Sequence, residues 1–99
     1  MKTQRPAPLG KEAAEELAIR ALSYLAGDPE RLGRFLAVSG IGPQSVREAA
    51  ASPGFLAGVL EYMLSDEALL VGFAGDAGVV PDDIGRAHRL LAVAGDPSD

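Results

Sequence analysis

Residues 11–40 read KEAAEELAIRALSYLAGDPERLGRFLAVSG, and the spacing within this stretch decides the fold class. Ala14, Leu17, Ala18, Ala21, Leu22 and Leu25 recur three and four residues apart, with Glu12, Glu15, Glu16, Arg20 and Ser23 opposite. That is the stripe of an amphipathic helix, and Gly27 ends it. Asp28 followed by Pro29 starts a second helix, because an aspartate carboxylate accepts the free amides of a first turn and proline already holds a helical φ. Leu32, Phe35 and Leu36 line one face of that helix, and Gly40 can take the left-handed conformation that closes it.

The same punctuation continues along the chain. Gly42 and Pro43 start a short helix that carries Val46, Ala49 and Ala50 inward, so that it forms a hairpin with the helix before it. Ser52 and Pro53 start a helix on which Phe55, Leu56, Val59, Leu60 and Met63 spread around more than half the circumference, which predicts a central position. Asp66 caps a further helical run through Leu69, Leu70, Val71, Phe73 and Ala74, with a kink or a break before it. Residues 75–80 read as a loop. Pro81, Asp82 and Asp83 then place a fixed φ and negative charge at the positive end of a final helix, whose Ile84, Ala87 and Leu91 face inward. The chain shows no alternating strand pattern, internal repeat or low-complexity tract.

These signals predict an all-α fold, an irregular orthogonal bundle of five or six short helices. The central residues are Leu17, Leu22, Leu25, Leu32, Phe35, Leu36, Phe55, Leu56, Val59, Leu60, Leu70, Phe73, Ile84 and Leu91. An up-and-down bundle fits less well, since the connections at Asp28 and Gly40 are short and the second and third helices run only about two or three turns. The organisation expected is a flexible arm over residues 1–10, a single helical domain over 11–95 and a flexible end over 96–99.

Composition narrows the function classes. Apolar residues make up 47% and charged residues 23% of the 99 positions, close to globular averages. The sequence has no cysteine, which excludes disulfides and thiolate metal sites and suits a reducing cytoplasm. Residues 1–10 lack the apolar run of a secretory signal. The most apolar stretch, residues 55–74, is interrupted by Glu61, Asp66 and Glu67, which argues against a membrane span. Net charge is −5, divided unevenly: residues 1–47 carry seven Lys and Arg against five acids, and residues 48–99 carry two against nine. That field opposes non-specific binding to nucleic acid.

The run from Ala21 through Asp28, Pro29, Glu30, Arg31 and Leu32, with Arg34, Phe35, Leu36 and Gly40 after it, resembles a family of small bacterial proteins that is itself of unknown function. The likeness continues through Ile41, Gly42 and Pro43 to Phe55, Leu56, Leu60, Asp66, Glu67, Leu69, Leu70 and Phe73. It implies a single-domain helical protein of the bacterial cytoplasm, and it implies no activity, substrate or site.

The segment from Leu36 through Ser39, Gly40, Ile41, Gly42 and Pro43 to Val46 is similar to the helix-hairpin-helix element of many DNA-binding proteins. Such a turn lets the backbone pass close to a phosphate and aims helix-start amides at it, with Arg31, Arg34 and Arg47 as backbone-contact charges. Against this, Gln44 stands where that element commonly has a basic residue, and a turn of this kind also serves simply to seat one helix on the next. Gly40, Gly42 and Ser45 approach a dinucleotide fingerprint, but the third glycine and the preceding strand are missing.

His88 is the sole histidine, placed on or beside the apolar face of the last helix, without a second histidine or a cysteine to build a familiar dyad. The acids Glu61, Asp66, Glu67, Asp76, Asp82 and Asp83 read as caps and solvated faces, since their spacing fits neither a calcium loop nor a di-metal motif. No metal or cofactor is expected, and no catalytic constellation is recognisable. Ile19, about 120° from the centre of the first helix's stripe, Tyr24 on its flank and Tyr62 on the central helix exceed what a monomer's core needs. They are candidates for a partner surface. The reading is therefore a non-enzymatic protein-interaction or adaptor module, a monomer or weak homodimer. The alternative is a nucleic-acid backbone binder using the turn at Gly40, Ile41 and Gly42.

Overall fold

The structure, a computed structural model, describes residues 10–94. Six α-helices fill that span: α1 (Lys11–Ala26), α2 (Pro29–Ser39), α3 (Val46–Ala49), α4 (Pro53–Leu64), α5 (Glu67–Ala77) and α6 (Pro81–Ala94), with a 3-10 turn, Pro43–Ser45, before α3. No strand occurs among the described residues. The all-α bundle expected from the spacing is what forms. All but Gly10 of the arm expected over residues 1–10, and the end expected over 96–99, lie outside the described residues.

The starts of the helices follow their capping residues. The Asp28 carboxylate accepts from the Glu30 amide at 3.0 Å, Ser52 Oγ from the Phe55 amide at 3.5 Å, and the Asp66 carboxylate from the Leu69 amide at 3.1 Å. Each satisfies an amide that a first turn leaves without a carbonyl partner. Two helices close on glycines in the left-handed region, α2 on Gly40 at φ 75° and α5 on Gly78 at φ 73°, a conformation in which a Cβ would be strained.

Helices α1, α4 and α6 pack on one another, with α2 laid against α1 and α4, and α5 against α4 and α6. The contact face of α1 is built from Ala14, Ala18 and Ala21, each with no exposed surface, together with Leu17 and Leu25. Alanine at these positions lets neighbouring helix axes approach closely. Around them lie Leu60, Met63, Phe73, Ile84 and Leu91, all fully buried or nearly so. No polar or charged residue is buried among the described residues, as expected of a small core with little margin for unpaired polar groups.

Several expectations need correction. Helix α5 runs through Ala77, so the loop expected over residues 75–80 shrinks to Gly78, Val79 and Val80. The Asp66 cap sets the phase of α5 so that Leu69 and Phe73, four residues apart, point inward and Leu70 sits half-buried on the flank. Leu22, Leu32, Leu36 and Phe55 also pack against the core without being enclosed by it. Val46, Ala49 and Ala50 are half-buried rather than buried, because the single turn of α3 offers too short a face to be covered. The expected hairpin of two helices is thus an eleven-residue helix followed by a 3-10 turn and four residues of α-helix.

Candidate functional site

An apolar groove of about 520 Å³ lies between the C-terminal half of α2 and the length of α4. Three rings make its floor. Phe35, 3% exposed, meets the Phe55 ring at 5.8 Å and the Tyr62 ring at 5.3 Å between centroids, both edge to face. That arrangement suits the opposite charge of ring edge and ring face. On α4 the wall includes Gly54 and Gly58, one turn apart. A Cβ placed on Gly58 would meet nothing within 4 Å, so the groove is widened there by the missing side chain.

The other wall is set by the way α2 ends. Gly40 turns the chain through its left-handed φ, Ser39 Oγ donates to the Leu36 carbonyl at 3.2 Å, and the same oxygen accepts from the Ile41 amide at 3.4 Å. These bonds bring Ile41 back to line the groove beside Val38 and Ser39. Val38 is 75% exposed, a large apolar side chain left on the rim. Among the described residues, the one charged side chain in the lining is Glu61, whose carboxylate lies 3.9 Å from His88 Nε2 on α6. Ser65 Oγ, at the far end, donates to the Tyr62 carbonyl at 2.7 Å. The groove can therefore hold apolar side chains, with one carboxylate available to a cation at its edge.

A second hollow, about 400 Å³, lies between α1 and α5 and is lined by Ile19, Arg20, Ser23, Tyr24, Phe73 and Asp76. Tyr24 is fixed there by three neighbours. Its ring packs at a tilt on Phe73 with 5.5 Å between centroids, the Arg31 guanidinium sits over the ring 5.3 Å from its centroid, and its hydroxyl lies 2.7 Å from where a Cβ on Gly72 would be. Ile19, 46% exposed, borders the same hollow. The three candidates for a partner surface are thus divided, Ile19 and Tyr24 at this hollow and Tyr62 in the groove.

Of the residues named for phosphate contact, Arg31 stands apart from the turn at Gly40. Arg31 belongs to the first turn of α2, where it lies 3.8 Å from the Asp28 carboxylate and over Tyr24. Gly40 is at the opposite end of that helix, about 13 Å along the axis. Arg34 and Arg47 are exposed, and neither makes an ion pair among the described residues. Gly42 has φ −74° and ψ 151°, an extended conformation open to any residue. The four residues of α3 are too few to present the aligned amides of a long helix.

The residues that make the groove, Phe35, Val38, Ile41, Gly54, Gly58 and Glu61, did not stand out as a site in the sequence. The signal that carries it is the pair Gly54 and Gly58 at one-turn spacing on a helix whose apolar residues run nearly all round. Among the described residues no three metal-ligating side chains come together, and no helix is long and apolar enough to cross a membrane.

No curated protein and no solved structure matches this chain. A family described as "Protein of unknown function (DUF3572)" matches residues 11–94, which run from the first residue of α1 to the last of α6. The chain belongs to that family of unknown function.

Proposed function

We propose that the chain is a non-enzymatic protein-interaction module of the bacterial cytoplasm, and that the groove between α2 and α4 takes apolar side chains from a helix of another polypeptide. The observation that carries this reading is the groove itself. It has an aromatic floor, a wall opened by Gly54 and Gly58, and Val38 left 75% exposed at its edge. Helices dock in such grooves through side chains spaced three and four residues apart. Glu61 asks for a cation beside the apolar anchor, so the fitting helix carries an aliphatic residue with Lys or Arg about one turn away. The same carboxylate, and the excess of acids over residues 48–99, favour this over contact with a nucleic-acid backbone.

The test is an amide-shift titration of the isotope-labelled chain with a synthetic helical peptide that bears leucines on one face and lysines beside them. Shifts confined to the second half of α2, Ile41 and α4 are expected, and they should vanish when the peptide's leucines are replaced by serine. Absence of shifts, or shifts scattered over the surface, would overturn the reading.

A further inference from the structure

The helix that fits this groove is present in the chain itself. On the outer face of α2, Val38 is 75% exposed and Arg34, four residues before it, is exposed and without an ion pair among the described residues. Residues four apart lie one above the other on a helix surface. Ala37 and Gly33, exposed on the same side of α2, add no bulk to it. An aliphatic knob with a cation one turn away is therefore carried on one wall of the groove, next to the hollow that would receive it.

A knob and a hole on the same patch are what a two-fold interface requires, because each partner must offer both. We infer that the groove is occupied by a second copy of this chain in a weak symmetric dimer, Val38 of each copy seated over Gly54 and Gly58 of the other and Arg34 of each copy meeting Glu61 of the other. This rests on the interaction reading above and names its partner. The spacing agrees to within about 1.5 Å: Arg34 and Val38 are about 6 Å apart along α2, and the midpoint of Gly54 and Gly58 lies about 7.5 Å from Glu61 along α4. One axis can therefore align apolar and charged contacts together. The charges agree as well, since Glu61 is 75% exposed and, among the described residues, has the His88 imidazole, 3.9 Å away, as its one ion-pair neighbour.

Sedimentation equilibrium of the full chain from about 10 µM to about 1 mM tests it, since a weak dimer dissociates within that range. Self-association is expected. Val38→Glu should weaken it at least tenfold, and Val38 is too exposed for the change to unfold the monomer, which a melting curve verifies. Arg34→Glu and Glu61→Arg should each weaken it by roughly twofold to thirtyfold, since each removes both copies of an exposed ion pair, and the double variant should recover most of the loss. A chain that stays monomeric throughout overturns the dimer, as does a dimer indifferent to Val38→Glu and not rescued by the exchanged charges. A monomer that still shows peptide shifts in the groove leaves the interaction reading standing and removes only the second copy. Failure of both experiments removes the two together.

Discussion

The centre of the molecule and its α2–α4 corner are built from similar residues to opposite effect. In the centre, α1, α4 and α6 bury alanines, leucines and Ile84 completely. In the corner, no residue from position 38 to position 52 is buried, and packing rests on the three rings of Phe35, Phe55 and Tyr62. Burial of small, well-shaped side chains holds the fold together, whereas the corner spends its apolar residues on a surface. The lesson is that a short chain can keep an apolar groove open when the rest of its core is complete without it.

The widest gap between the two regions should appear in a pair of phenylalanine truncations. Phe73→Ala, at a side chain 1% exposed, should cost about 3–5 kcal/mol, a large part of the roughly 5–10 kcal/mol expected for a domain of this size. Phe55→Ala, half-buried at the groove, should cost about half as much, because part of the ring already faces water. Equal losses in chemical denaturation would erase the distinction between centre and corner.

A smaller effect tests how tightly the edge of the centre is fitted. Gly72→Ala places a methyl group 2.7 Å from the Tyr24 hydroxyl, and that ring is held by Phe73 and Arg31. The expected loss is about 1–3 kcal/mol. Tyr24→Phe in the same chain should return most of it, since the next ring atom lies at 3.8 Å, an ordinary contact. A double-mutant cycle without coupling would mean the ring swings aside freely.

The smallest difference lies in the caps. Asp66→Ala removes a 3.1 Å bond at the start of α5 and should cost about 1 kcal/mol, whereas Ser52→Ala, at the corner, removes a 3.5 Å bond and should cost about 0.5 kcal/mol. The reverse order in melting experiments would show that the corner is the more rigid of the two.

Much of this architecture can be read from single residues. The caps Asp28, Ser52 and Asp66 and the closing Gly40 act within three or four residues of themselves, so the sequence carries them directly. The inward faces of α1 and α6 follow from periodicity alone, because each helix has one apolar stripe. On α4 and α5 the apolar residues run nearly all round, and periodicity no longer distinguishes Leu69 from Leu70. The groove was hidden for a related reason. Phe35 and Phe55 satisfy a core pattern whether they are enclosed or stacked at an edge, and only the approach of α2 to α4 reveals a gap beside them. Ile19 and Tyr24 stand out as surplus apolar residues on α1, but their separation from Tyr62 depends on which helices cover α1 and α4.

The aromatic placement has a practical consequence. The chain has two tyrosines and no tryptophan, and each tyrosine rests against a different phenylalanine, Tyr24 on Phe73 and Tyr62 on Phe35. Tyrosine emission in Tyr62→Phe thus watches only the α1–α5 side, and in Tyr24→Phe only the groove. The molecule carries its own pair of optical reporters, able to say without any added label whether the two sides loosen at the same denaturant concentration.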